Sequence, residues 1–206
     1  MKLREWLSQR GPAYTFRRGR RLLGRYGITA SEAMERVEGC VSALAKHGCA
    51  LTFPTPGRVV QRHPGYVRHL QKLGAEIAVH SYDHVDLAVL APTQARQQLL
   101  RAAEVFAQNG IEAFGFRCPY LSCTDELVKV AANSSLDYSS NRAIRWETAL
   151  SADSAHTSQD VQALQRLYQP TSAGDTVCVP WMRAGLVEIP VCLPDDLEVH
   201  DGLQLG

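Results

Sequence analysis

The 206-residue sequence has no run near the ~18 consecutive apolar residues of a membrane-spanning helix, which excludes such a span. It has no internal repeat and no low-complexity tract, which excludes solenoids and fibrous arrays. No apolar stretch of the length found in secretory leaders follows the basic start, so no secretory signal is expected. Its six cysteines form no C-x-x-C pair, and their spacing matches no zinc finger or ribbon. What is there is ordinary: 45% apolar and 21% charged residues, enough for one globular domain and too apolar for a disordered chain.

The net charge of +1 hides an asymmetry. Lys2, Arg4, Arg10, Arg17, Arg18, Arg20, Arg21 and Arg25 face Glu5 alone within residues 1–25. That segment therefore carries +7, and the remaining residues carry −6. Residues 1–25 read as a basic arm or helix, and residues 26–206 as the folded domain. The arm is either a solvated appendage or a contact for an anionic surface. No nucleic-acid partner is expected. Cys40, Cys49, Cys118, Cys123, Cys178 and Cys192 read as reduced, mostly buried thiols, which points to a cytoplasmic protein.

From residue 32 onward helical and strand-like patterns alternate. Met34, Val37, Val41 and Leu44 predict a helix ending near Gly48. Ala50–Phe53 predicts a strand, closed by a turn at Pro54-Thr55-Pro56-Gly57. Pro64 opens a helix with Val67, Leu70 and Leu73 on one face and Gly74 as its cap. Glu76–Val79 predicts a strand running into His80, and Pro92 opens a long helix reaching Asn109-Gly110. Ala113–Phe116 predicts a strand delivering Arg117, and Thr124 caps a helix reaching about Asn133. Val161, Leu164 and Leu167 mark another helix, and Leu186–Val191 a late strand. Such alternation implies parallel strands covered by helices, with chemistry at their carboxyl edge.

Two polar clusters fall at that edge. His80 and His84 stand four apart in His80-Ser81-Tyr82-Asp83-His84, able to converge on one ion if the loop turns helically. Equally, they are two capping or surface histidines. Arg117-Cys118-Pro119-Tyr120 offers a forked cation, a stiffened loop, and a backbone N–H with a ring. Alone, it is also compatible with a structural turn.

Together these blocks resemble the polysaccharide deacetylase (NodB-homology) family. Leu51-Thr52-Phe53 matches its A-T-F-F-type strand, and His63-Pro64 its H-P helix start. Gly74-Ala75-Glu76-Ile77-Ala78-Val79-His80-Ser81-Tyr82-Asp83-His84 matches its G-x-E-I-x-x-H-[ST]-x-x-H block, and Arg117-Cys118-Pro119-Tyr120 its R-x-P-Y block. The resemblance implies an α/β fold, an irregular (β/α) barrel, and a metal-dependent hydrolase that removes an acetyl group from a carbohydrate. By it, His80 and His84 hold a divalent metal, zinc. Arg117 orients the catalytic carboxylate, Tyr120 gives its amide to the oxyanion, and Ser81 braces the loop. The segment Asp137 to Trp146, after the R-x-P-Y block, could line a substrate groove, with Trp146 stacking on a sugar and Pro119 shaping the pocket.

The sequence departs from the family at both ends. Where the family has T-F-D-D-G, this chain has Gly27-Ile28-Thr29-Ala30-Ser31-Glu32-Ala33, with Ala30 and Ser31 at the aspartate positions. Glu32, Asp83 and Asp86 are the candidate substitutes, each also readable as a cap or turn residue. The family's L-x-H has no counterpart after residue 121, since Leu197-Glu198-Val199-His200 has the wrong spacing. The chain stops at Gly206, where a further helix and strand are expected, as in a natural short form or a truncated reading frame. The expected function is therefore a carbohydrate deacetylase. The alternative is a catalytically inactive barrel that binds a glycan or nucleotide-sugar.

Overall fold

The computed structural model describes residues 29–146 and 168–193, together with Arg20. Except for Arg20, the basic segment 1–25 lies outside the described residues, as do the expected helix at Val161–Leu167 and the stretch from Pro194 to Gly206. The chain divides into two compact units, Met1–Leu51 and Thr52–Gly206.

In the first unit, α1 spans Ala30–Ala45. Thr29 caps it: its hydroxyl accepts from the Glu32 N–H at 3.2 Å, and the Glu32 carboxylate accepts from the Thr29 N–H at 3.2 Å. This reciprocal pair satisfies two amide donors that a helix start leaves open.

Among the described residues, the second unit holds all the strands. β1 (Thr52–Thr55) leads through α2 (Gly57–Arg62) and α3 (Pro64–Lys72) to β2 (Glu76–Val79). α4 (Pro92–Gln108) precedes β3 (Gly115–Phe116), and α5 (Asp125–Ala132) precedes β4 (Tyr138–Ser139). Five short strands follow: β5 (Ala143–Arg145), β6 (Thr171–Ser172), β7 (Trp181–Arg183), β8 (Leu186–Glu188) and β9 (Val191–Leu193). One sheet runs β1-β2-β3-β4-β8-β7, parallel except for the antiparallel β7–β8 pair. The second sheet, β6-β5-β9, is wholly parallel.

This is the α/β architecture expected from the sequence, with mostly parallel strands covered by helices. Among the described residues, two neighbouring strands leave the first sheet together: β4 continues into β5 and β8 into β9, across the turns at 140–142 and 189–190.

Helices cover the sheet because their apolar stripes match it. Val67 and Leu70 of α3, Leu99, Ala102 and Phe106 of α4, and Leu127 and Val128 of α5 are buried with Ile77, Val79 and Phe116 of the strands. α2, not anticipated from the sequence, packs on α4 at close range. A Cβ at Gly57 would sit 3.0 Å from the Ala102 Cα, so a larger residue would have to push α4 back by a few tenths of an ångström.

Several boundaries differ from the sequence reading. The expected turn at Pro54-Thr55 is strand, since β1 is an edge strand of the described sheet and tolerates a missing N–H. The expected strand at Leu186–Val191 is two strands in different sheets, broken at Ile189-Pro190, where proline cannot donate to a ladder. The cysteines are all free, but only Cys118 is buried; Cys40, Cys49 and Cys192 are exposed and Cys123 and Cys178 lie between. A thiol behaves as a small hydrophobe only where an element turns it inward, and these positions face outward or sit in turns. No helix among the described residues is long and apolar enough to cross a membrane.

Candidate functional site

β1, β2 and β3 deliver their loops to one edge of the sheet. The His80 N–H donates to Thr55 O at 3.2 Å, and the Arg117 N–H donates to Val79 O at 2.9 Å. His80 and Arg117 thus leave adjacent parallel strands side by side. The His80 Nδ1 lies 2.6 Å from Arg117 O. Burial lowers the His80 pKa from 6.5 to about 4, against that bond, which favours the cation. The ring is therefore neutral near pH 7, with its proton on Nδ1 and a lone pair on Nε2.

The loop after β2 doubles back at Ser81, which is buried with φ +56. The Ser81 hydroxyl donates to Asp83 O, the brace implied by the resemblance. The turn sets the His84 ring 5.0 Å from that of His80, centroid to centroid, and 5.3 Å edge-on from that of Tyr120. The structure thus brings together His80, His84, Arg117 and Tyr120.

Asp83 points elsewhere. Its carboxylate is 2.5 Å from the Arg58 guanidinium and accepts from Gln98 at 3.4 Å. Asp86 accepts from the Ala88 N–H at 2.9 Å and caps a single helical turn at Leu87–Val89. Glu32 belongs to the α1 cap. All three carboxylates do the structural jobs that competed with a site role in the sequence.

The Arg117 guanidinium donates through Nε to Ser140 O at 3.0 Å and through Nη2 to the Ser140 hydroxyl at 2.7 Å. No carboxylate among the described residues forms an ion pair with it, and burial lowers its pKa. It lines a cavity of ≈ 210 Å³ with Glu76, Tyr138 and Ser140. There the Tyr138 hydroxyl donates to Glu76 Oε1 at 2.6 Å and the Thr52 hydroxyl donates to Glu76 Oε2 at 2.9 Å. Burial, then the Glu76 bond, pushes the Tyr138 pKa up. The Tyr138 ring lies across Gly115, where any Cβ would come within 2.0 Å of it.

Pro119 is buried and opens a tight turn, Pro119–Leu121. Tyr120 and Leu121 both take left-handed conformations, with φ +59 and +58. Two such non-glycine residues in succession are costly and must be held by their surroundings. The Tyr120 N–H meets no acceptor among the described residues. Trp146 stands exposed just after β5, on the second sheet, and Trp181 is half-buried on β7.

The sequence reading missed the residues that hold the Arg117 loop. Asn141 Oδ1 accepts from the Cys118 N–H at 2.6 Å, and Glu188, fully buried on β8, braces Asn141 in turn. One signal was available: Leu186 and Glu188 share a strand face by the period of two, and a charge on a buried face needs partners. For a metal, the described residues offer two imidazoles and no group of three or more candidate donors. A catalytic zinc site takes three protein ligands, so these residues by themselves do not fit one.

A family model of the polysaccharide deacetylases matches residues 27–139. The chain is also similar to solved structures. One is a family 4 carbohydrate esterase from Streptomyces lividans in complex with acetate, 26% identical over 61% of this chain and 64% of that one, TM-score 0.45. Another is a candidate polysaccharide deacetylase from Mycobacterium smegmatis, 24% identical over 73% of this chain and 43% of that one, TM-score 0.52. A third is a wild-type family 4 pseudoenzyme from Bacillus anthracis, 21% identical over 84% of this chain and 55% of that one, TM-score 0.49. The chain spans less than two thirds of each of these proteins. The family match takes in more than half of the chain, from the start of α1 through both edge loops to β4, and the chain belongs to the polysaccharide deacetylase family.

Proposed function

We propose that the chain is a carbohydrate deacetylase, hydrolysing an N- or O-acetyl group on a sugar. The convergence of His80, His84, Arg117 and Tyr120 on one sheet edge supports this reading. In it, an acetyl carbonyl lies against the Tyr120 N–H, whose bond strengthens as negative charge grows on the oxygen. The fixed Arg117 cation adds positive potential beside that oxygen. His80 presents its Nε2 lone pair, and His84 the second imidazole. The metal dependence expected from the family would need a donor besides these two rings.

A second reading, binding of an acetylated glycan without hydrolysis, is favoured by one observation. Among the described residues no carboxylate joins the edge cluster: Ala30 and Ser31 stand at the family's aspartate positions, and Asp83 is bound to Arg58. The deciding experiment incubates the protein with oligomers of N-acetylglucosamine, with zinc or with chelator, and measures both acetate release and binding. Acetate release that requires metal fits the first reading; binding without release fits the second. Neither binding nor release would refute both.

A further inference from the structure

Glu188 has no solvent exposure and sits where two strand pairs pass from one sheet to the other. Its carboxylate collects four donors. Oε1 accepts from the Asn141 N–H at 2.6 Å and the Arg142 N–H at 2.9 Å. Oε2 accepts from Arg183 Nη1 at 3.1 Å and from the Ser139 hydroxyl. Arg183, itself only 9% exposed, is fastened further to Asp125 at 2.8 Å and to Cys123 O at 3.0 Å.

Three of the four donors belong to residues 139–142, so the carboxylate fixes the shape of that turn. The turn in turn carries the Arg117 loop. Ser140 holds the guanidinium through two bonds, and Asn141 holds the Cys118 N–H. Through Arg183 and Cys123 O, the same carboxylate also reaches the far end of the loop. Both ends of the strained Tyr120-Leu121 turn are therefore tied to one buried anion.

We infer that Glu188 is a positioning residue that sets the orientation of Arg117 and of the Tyr120 N–H, acting through Ser139, Ser140 and Asn141. Its relevance to catalysis rests on the deacetylase reading; its hold on the loop does not.

The test uses the full chain and Glu188→Gln. Glutamine keeps the shape, but its NH₂ must face two donors whichever way the amide is turned. Amide exchange and the NMR signal of the Cys118 N–H read the loop. Exchange at Cys118 is expected to quicken about tenfold or more, while the β2 amides of Ile77 and Val79 keep their protection. Acetate release gives the second readout: kcat falls about tenfold or more with KM within about twofold, since the Tyr120 N–H acts in the transition state.

Equal loss of protection across the sheet, or an unchanged Cys118 signal, would overturn the inference. If Glu188→Gln does not fold, Ser139→Ala decides, because it removes one donor and leaves the Arg183 pair. It should shift the Cys118 signal in the same direction by less, and a wild-type signal there overturns the inference. If the unaltered protein releases no acetate, the deacetylase reading fails and the Cys118 readout alone decides whether Glu188 positions the loop.

Discussion

The two loops at the carboxyl edge are held in opposite ways. The His80–His84 loop is held from the helices that flank it: Ser81 braces Asp83, and α2 and α4 supply Arg58 and Gln98. The Arg117–Tyr120 loop is held from the later strands and their turn: Ser140 and Asn141 after β4, then Arg183 and Glu188 on β7 and β8. The first loop's ion pair with Arg58 is half exposed, whereas the second loop's anchor is buried. A loop with an exposed tie tolerates loss of that tie; a loop hung on a buried charge does not.

That contrast orders the expected effects. Glu188→Ala takes the buried carboxylate from Arg183 and leaves two turn amides without an acceptor, and should cost about 3–5 kcal/mol in denaturant unfolding. His80 should give the next largest effect, through pH. Its folded pKa of about 4 lies below the unfolded value of 6.5, so between these values the unfolded chain binds a proton that the folded chain refuses. Stability should therefore fall as pH drops from 6.5 toward 4, by about 2–3 kcal/mol in chelator, and His80→Gln should flatten that slope.

Asn141→Ala removes the acceptor of the Cys118 N–H and should cost about 1–3 kcal/mol, with the loss of protection concentrated at residues 117–122. Asp83→Asn should cost no more than about 1 kcal/mol, because Arg58 is half exposed and water can replace the lost partner. A large loss from Asp83→Asn, or a small one from Glu188→Ala, would reverse the comparison.

The same contrast explains what was legible in the sequence. α1, α3, β2, α4 and α5 were readable because each carries its own signal: the Met34-Val37-Val41-Leu44 spacing, Pro64 and Pro92 at helix starts, the Glu76–Val79 run into His80, and Thr124 before α5. His80, His84, Arg117 and Tyr120 were readable as blocks that follow strands. The short strands β4 to β9 carry little periodicity, and their pairing is decided by partners tens of residues away. Ser140, Asn141 and Glu188 look like loop and strand residues in one dimension. Their roles exist only once β4 and β8 lie side by side.

In the proposed function the paired edge loops act on an acetylated sugar. The most direct measurement is acetate release from N-acetylglucosamine oligomers by the unaltered chain, by His80→Ala and by Arg117→Ala, each across a series of divalent metals. Release by the unaltered chain is expected, and both substitutions should abolish it with folding intact by circular dichroism. Release that survives both substitutions, or none from the unaltered chain under any metal, would contradict the proposed function.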